Sequence, residues 1–237
     1  MLKFVTKQEY WAVEDSGATR EYPNNPLWHL KSIQDAMVWA TLREARERSI
    51  AEIGGGNSRL IGALARHNRC FNIEPFEGVG QGPKAEVVVD GVTNLKVTVG
   101  TFSEQIEAGQ FDAIFSVSVV EHVATGALAD FFADCQRMLK PGGQMLHLID
   151  MYLEGADGDN AAARERCRHY SSVFSDGVFE ARGPVAVTGG EEVVFRTEFA
   201  SNPDNVMNRW NRSVPQLRAK RERAQSCTLI MHGCRPP

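Results

Sequence analysis

A short apolar strand that runs into three glycines and then a helix constrains this chain more than any other stretch. It reads Ser49-Ile50-Ala51-Glu52-Ile53-Gly54-Gly55-Gly56-Asn57-Ser58-Arg59-Leu60-Ile61. Glycine lets a chain reverse at dihedrals that a side chain forbids, and it lets a ligand approach bare backbone. The helix, opening near Asn57 or Ser58, turns its free N–H groups and positive dipole end back on the turn. Glu52 aims an acid at the same crevice. At the start of a βαβ unit this arrangement is a nucleotide-cofactor site. The motif is weak alone, because any tight strand-to-helix turn uses glycine, and Gly54-x-Gly56 lacks the third glycine of the dinucleotide fingerprint.

The residues downstream strengthen it. A helix over about 57–67 carries Leu60, Ile61 and Leu64 inward, and Cys70-Phe71-Asn72-Ile73-Glu74 is the second strand. It closes on Glu74, an acid at a strand tip where a carboxylate accepts two hydrogen bonds from a ribose diol. Residues 75–96 are glycine-rich and resist placement, with Val87-Val88-Val89 open as a strand or an insertion. Leu95–Val99 is expected as the third strand, with Gly100-Thr101-Phe102 at its tip. Phe111–Ser116 is a short apolar run of the buried parallel kind. Leu128, Phe131, Phe132, Cys135, Met138 and Leu139 give one helical face, stopped by Lys140-Pro141-Gly142-Gly143. Met145–Asp150 follows as the fifth strand.

Together these pieces resemble the class I S-adenosylmethionine-dependent methyltransferases, over about residues 50–150. The resemblance is carried by Glu52-Ile53-Gly54-Gly55-Gly56, by Glu74, by Phe111-Asp112 leading to Glu121-His122-Val123, and by Leu139-Lys140-Pro141-Gly142-Gly143. Ser58, where the family often has a further glycine, and the long segment after the second strand depart from the pattern. The resemblance implies an α/β, Rossmann-like doubly wound sheet, mostly parallel with an antiparallel last strand and helices on both faces. It implies S-adenosylmethionine as cofactor, a small-molecule methyl acceptor, and no metal. It places Gly54, Gly56 and Asn57 beside the methionine part, Glu74 on the ribose, and Glu52 among the cofactor-binding residues. Ser116 presents backbone to the same ligand, and Thr101 and Phe102 stand as candidates beside adenine.

Methyl transfer needs an aligned nucleophile, exclusion of water and sometimes a base. The candidate bases are His122 after the fourth strand, His147 within the fifth, and Asp150 at its tip, since open α/β sheets bind ligands beyond the carboxyl ends of strands. Against them, Glu121-His122 is common in this family as a structural feature, and His147 suits a satisfied core histidine. A histidine three residues before an aspartate, as in His147 to Asp150, is similar to a strand of some methyltransferases of sugar-containing or phosphorylated metabolites.

The flanks are read more coarsely. Residues 1–24 form a packed arm or a lid, and Asn25-Pro26 signals the start of an amphipathic helix over 26–47. Tyr152–Asn160 is expected as a loop; Asp157-Gly158-Asp159-Asn160 lacks the later ligands of a calcium site. A helix over Ala161–Tyr170, a strand over Glu191–Thr197 and a final strand over Ser226–His232 follow. The organisation expected is an arm and helix at 1–48, a cofactor-binding core at 49–150, and a C-terminal part of the same domain at 151–237. Tyr152, Trp210 and the arginines from Arg209 and Arg212 to Arg223 are groups suited to planar and anionic recognition, so the acceptor is expected to be a small polar metabolite, sugar-bearing or anionic.

Composition narrows the alternatives. A chain of 237 residues, 43% apolar and 24% charged, buries a sizeable core as one α/β domain with additions. A net charge of −4 points to neither nucleic acid nor a membrane surface. Met1-Leu2-Lys3-Phe4-Val5 turns polar too soon for a signal peptide, and no run approaches a membrane span. Five scattered cysteines without paired spacing suit reduced thiols in a cytoplasm. Two rivals stand beside the methyltransferase: an NAD-dependent oxidoreductase, for which Glu74 would also grip the ribose, and a catalytically silent cofactor-binding partner protein.

Overall fold

The structure is a computed structural model, described here for residues 1–18, 30–56, 60–78, 82–154, 160–190, 193 and 224–237. Its frame is the strand that enters the glycine turn. β2 (Ser49–Ile53) is buried at every position, because it lies between two parallel neighbours and beneath helices on both faces. On one side it pairs with β3 (Arg69–Ile73), which in turn pairs with β4 (Val92–Leu95). On the other side lies β5 (Phe111–Val117), followed by β6 (Leu139–Glu154), β8 (Ala224–Cys234) and β1 (Leu2–Phe4). β8 runs antiparallel to β6, and β7 (Glu180–Ala181) adds a short pairing to β8. The doubly wound, mostly parallel sheet with an antiparallel last strand is as the resemblance implies.

Period-two alternation splits the core into two layers. On one face Phe111, Ile114, Met145 and Ile149 pack with α4 (Leu128–Met138) and α5 (Ala161–Ser175). On the other, Ala113, Phe115, Leu146 and Leu148 pack with α2 (Leu30–Leu42) and α3 (Ile61–Leu64). Helix α4 buries Leu128, Phe131, Phe132, Cys135 and Met138, the helical stripe read from the sequence.

Several boundaries differ from expectation, each for a local reason. Helix α2 stops at Leu42 rather than 47, because Glu47 takes φ 56° and its N–H bonds His67 O, turning the chain into β2. The expected start at Asn25-Pro26 lies outside the described residues. Helix α3 is shorter than 57–67; residues 57–59 lie outside the described residues. The third strand is Val92–Leu95, not Leu95–Val99: Val97 N–H turns back to Leu95 O and ends the pairing. Val87–Val89 lies outside any strand, and Val88 is 83% exposed.

β6 begins at Leu139, so Lys140-Pro141-Gly142-Gly143 lies within a strand instead of ending a helix in a turn. The register passes from Phe111↔Leu139 to Ala113↔Gln144, which leaves the Pro-Gly-Gly segment as a wide bulge. Gly142 N–H and Gly143 O still pair with Arg235 across the strand. β6 then runs to Glu154, held by β8 all along, so Tyr152 is in a strand and not in a loop. Of the strand expected over Glu191–Thr197, only Val193 is described, and it lies buried in a bend. The outer edge of β8 is covered instead by β1 and β7.

The start of the chain is therefore a packed arm over 1–18, with α1 (Lys7–Asp15) behind β1. Thr6 and Glu9 form a capping box: Thr6 Oγ1 accepts the Glu9 N–H at 3.2 Å and Glu9 Oε2 accepts the Thr6 N–H at 3.0 Å. That Ser/Thr-x-x-Glu signal is visible in the sequence and marks the helix. All five cysteines are free and buried. Among the described residues no helix is long and apolar enough to cross a membrane.

Candidate active site

The carboxyl ends of β2, β3, β5 and β6 lie along one edge of the sheet, on either side of the point where the strand order reverses between β2 and β5. Such a switch point is where open α/β sheets bind ligands. Gly54, at the tip of β2, has φ 66° and donates its N–H to Ile73 O at 2.9 Å. A Cβ at Gly54 would stand 2.6 Å from Val119 Cγ2, whereas one at Gly56 (φ 53°) would meet nothing nearer than Pro83 Cδ at 3.8 Å. Gly54 is bare because the chain behind is close, and Gly56 because it opens into the crevice.

Beneath the turn sits a chain of side-chain amides that begins at buried Asn72. Asn72 Oδ1 accepts the Gly55 N–H at 3.2 Å, its amide donates to Asn94 Oδ1 at 3.3 Å, and Asn94 reaches Glu86 and Val87 O. Asn72 thus fixes the turn, a role the sequence reading missed although the residue stood between the two acids. Glu52 is buried under the same turn, its Cδ 3.0 Å from where a Gly55 Cβ would stand. It shapes the floor of the crevice.

Glu74 is placed as expected. It is 7% exposed, and its Oε1 accepts the Phe76 N–H at 3.2 Å. Its Oε2 makes no hydrogen bond among the described residues, so one oxygen is anchored and one is left to accept from a ligand. Bare backbone at Gly54–Gly56 and a half-committed carboxylate at the next strand tip suit the methionine and ribose parts of S-adenosylmethionine. Asn57 lies outside the described residues. Glu74→Ala should therefore weaken S-adenosylhomocysteine binding by about 1–3 kcal/mol, through loss of a charged acceptor, as read by calorimetry.

Thr101 and Phe102 lie on the loop after β4, both exposed. Their loop is tied down by Asp134 of α4, 2% exposed, which accepts from Gly100 N–H at 2.8 Å and Phe102 N–H at 3.2 Å. Arg137 pairs with Asp134 at 2.8 Å and donates to Ile106 O at 2.6 Å, which closes the loop against the helix.

The three candidate bases separate. His147 is fully buried on the α4 face, its Nδ1 2.7 Å from Ser116 Oγ, beside the Phe131 and Phe132 rings. Burial pushes it down to about 3. It is a neutral core histidine, and Ser116, bound to it, has only backbone left for a ligand. His122 is the reverse, with a side chain 71% exposed on the turn Val120–His122. Asp150 alone is half-buried at the sheet edge, its Oδ1 accepting from Gln34 Nε2 at 2.6 Å and lying 3.1 Å from Ser118 Oγ.

A buried neutral histidine has a consequence for stability. Its unfolded pKa is about 6.5, so the unfolded state binds the extra proton as pH falls from there towards 3, and stability is lost over that window. At pH 5 the loss should be about 2 kcal/mol. His147→Gln should reduce this acid slope in urea titrations at pH 7 and pH 5.

Glu121 is the residue the sequence reading underused. Its side chain is 12% exposed, and both carboxyl oxygens are fully buried. Burial first, then the Asp150 carboxylate, raises its pKa to about 8. The signal was present in Glu121-His122, where attention fell on the histidine.

A cavity of about 570 Å³ lies elsewhere, lined by Arg46, Arg48, Asp112, Lys140 and Gly142. It is at the amino ends of β2 and β5, the opposite edge from the switch point. Burial opposes the Asp112 charge, but Lys140 and the Ser49 N–H, each at 2.8 Å, outweigh it and lower its pKa. Those charges already serve each other, and the switch point is at the other end of the strands.

Comparison with known proteins agrees with this geometry. Residues 51–147 match the family described as "Methyltransferase domain". No relative among curated proteins matches the sequence. Among solved structures, geranyl diphosphate C-methyltransferase from Streptomyces coelicolor A3(2) is 13% identical, with 87% of this chain and 79% of that one covered and a TM-score of 0.54. Phosphoethanolamine N-methyltransferase 2 of Haemonchus contortus is 14% identical, with 98% of this chain and 58% of that one covered and a TM-score of 0.53. A putative sarcosine dimethylglycine methyltransferase from Galdieria sulphuraria is 14% identical, with 86% and 85% covered and a TM-score of 0.51. Over residues 51–147 the chain is similar to methyltransferase domains, and these solved structures share its fold.

Proposed function

We propose that the protein methylates a small polar metabolite, sugar-bearing or anionic, held over the carboxyl ends of β5 and β6. The observation that carries this is Asp150: a half-buried carboxylate at the switch point, fixed on one oxygen by Gln34 and free of described partners on the other. Bound S-adenosylmethionine supplies a methyl on a sulfur that departs as a neutral thioether. The chain's own part is to hold, orient and deprotonate. Gly54–Gly56 and Glu74 bind the donor, with Thr101 and Phe102 at the adenine end. Asp150 accepts a hydrogen bond from the acceptor.

The walls around the acceptor come from residues 1–48 and 151–237. Tyr152 stands two residues beyond Asp150 on β6. Arg209, Trp210 and Arg212 lie outside the described residues; we assign them to the acceptor because guanidinium forks and an indole suit anionic and planar groups. Five buried free thiols accord with a cytoplasmic setting. The phosphoethanolamine and geranyl diphosphate of the similar structures are themselves phosphorylated acceptors, which supports including phosphate among the groups tried.

Two measurements test the reading. S-adenosylhomocysteine should bind in calorimetry, and binding of NADH in its place would overturn the assignment. Methyl transfer should then occur to one of a panel of sugar phosphates, phosphorylated amines and hydroxy acids. On that compound Arg209→Glu with Arg212→Glu should raise KM about tenfold or more without changing donor affinity. Donor binding without turnover on any compound would favour a silent partner protein.

A further inference from the structure

Three side chains from separate elements close a ring of hydrogen bonds at the carboxyl end of the sheet. Gln34 comes from α2, Ser118 from the residue that follows β5, and Asp150 from β6. Gln34 Nε2 donates to Asp150 Oδ1 at 2.6 Å. Ser118 Oγ donates to Gln34 Oε1 at 2.8 Å and lies 3.1 Å from the same Asp150 Oδ1. Gln34 is fully buried and Ser118 nearly so, whereas Asp150 is half-buried. Gln34 and Asp150 both lie outside residues 51–147, the span that is similar to methyltransferase domains.

Ser118 is the member that its own backbone does not explain. It takes φ 55°, in the left-handed region that strains a residue with a side chain and leaves glycine unstrained. The backbone bond made there, from Ser118 N–H to Leu148 O at 2.9 Å, would form equally with glycine. What serine adds is a hydroxyl, and that hydroxyl touches Gln34 and Asp150. Strain of this kind is kept where the surroundings over-determine it, often at functional sites. Resting on the methyltransferase reading above, we propose that Ser118 and Gln34 are positioning residues that aim the Asp150 carboxylate at the methyl acceptor. Asp150 meets the acceptor, and the other two act only through it.

The physical case is one of aim. The last torsion of an aspartate is broad, without the staggered wells that fix an aliphatic side chain. One donor would leave the carboxylate free to swing. Two donors on Oδ1, one from a helix and one from the tip of the neighbouring strand, hold both the oxygen and the carboxylate plane. Oδ2 has no partner among the described residues, and it is the oxygen left for a hydroxyl or amine of the acceptor.

Counting protons shows that the three bonds depend on one another. The Ser118 hydroxyl carries one proton for two acceptors, Gln34 Oε1 and Asp150 Oδ1, and shares it between them as a three-centre bond. Gln34 returns an N–H to Asp150, so the buried amide uses both its oxygen and a donor. Removing the hydroxyl takes one donor from Asp150 and leaves Gln34 Oε1 without its donor, so the remaining bond loses its own support.

The test is a double-mutant cycle on Ser118→Gly and Asp150→Asn. Ser118→Gly loses the hydroxyl but relieves the left-handed strain, so its melting temperature should stay within about 4 °C of the wild type. On whichever sugar phosphate, phosphorylated amine or hydroxy acid turns over, its kcat should fall about tenfold or more, with S-adenosylhomocysteine affinity unchanged. In the Asp150→Asn background the same change should cost no more than about twofold, because nothing is left to aim. Equal losses in both backgrounds, or an unchanged kcat in Ser118→Gly, overturn the role. A Ser118→Gly protein that unfolds marks the hydroxyl as a structural tie and overturns it too. A second measurement needs neither acceptor nor cycle. In protein labelled with ¹³C at Asp side chains, the Asp150 carboxyl resonance, assigned by its loss in Asp150→Asn or Asp150→Glu, should move in Ser118→Gly and in Gln34→Leu. A resonance that neither change moves refutes the ring. Failure of the methyltransferase reading shows in the wild type, as no S-adenosylhomocysteine binding or no turnover, and withdraws both claims; failure of this inference alone shows only in the variants.

Discussion

Gly54→Val should abolish S-adenosylmethionine binding in calorimetry and lower the melting temperature. At φ 66° a β-branched residue is a backbone outlier, and left-handed geometry costs an L-residue about 1–2 kcal/mol before any contact is counted. The contact is worse, because the added Cβ would stand 2.6 Å from Val119 Cγ2. Neither side can retreat freely. Gly54 is pinned by its N–H to Ile73 O, and Val119 lies between strained Ser118 and buried Val120. The turn must therefore move, and the bare backbone of Gly54–Gly56 moves with it. Gly56→Ala is the control: it carries the same left-handed strain, but its Cβ meets nothing nearer than 3.8 Å. Gly56→Ala should fold nearly as well and lose affinity only by crowding the ligand. If Gly54→Val binds S-adenosylhomocysteine as the wild type does, the glycine turn is structural alone.

What was legible in the sequence follows from how strongly each residue is forced. β2, β3 and β5 are buried parallel strands, so their apolar runs announce them. α4 shows its stripe because one face meets the sheet and the other meets water. β4 was misplaced because it is a polar edge strand, Val-Thr-Asn-Leu, with no residue fully buried. Its register depends on Asn72 reaching Asn94, a long-range contact that no local pattern carries. β1 was hidden for a similar reason: three residues at an edge are selected by the open side of β8.

The site divides in the same way. Gly54 and Glu74 were legible because each is dictated by its own turn. Which of the candidate bases is reachable was not, because burial decides it. Sequence places His147 and Asp150 three apart on one strand, but residues an odd number apart point to opposite faces of a sheet. His147 therefore meets the α4 aromatics, while Asp150 meets Gln34 of α2. Glu121 and His122 are adjacent, and the turn buries the first and exposes the second.

Asp134→Ala should destabilise the fold by about 3 kcal/mol, as measured by urea unfolding, and loosen the loop that carries Thr101 and Phe102. Removing one member of a buried, hydrogen-bonded ion pair costs about 3–5 kcal/mol, because the partner charge is left without compensation. Arg137 is 25% exposed, which places the expected loss at the lower end of that range. Beyond the charge, the amides of Gly100 and Phe102 lose their acceptor, and Arg137, which also ties the loop through Ile106 O, loses the carboxylate that orients it. Asp134→Asn keeps an acceptor oxygen and should recover part of the loss, whereas Arg137→Ala frees Ile106 O but leaves the Gly100 and Phe102 amides bound and should spare that tip of the loop. The discriminating readout is cofactor affinity at a temperature where every variant is folded. If Thr101 and Phe102 flank adenine, Asp134→Ala should bind S-adenosylhomocysteine more weakly while Arg137→Ala binds it nearly as the wild type does. Equal affinity in all three proteins would remove Thr101 and Phe102 from the cofactor site and leave Asp134 a purely structural acid.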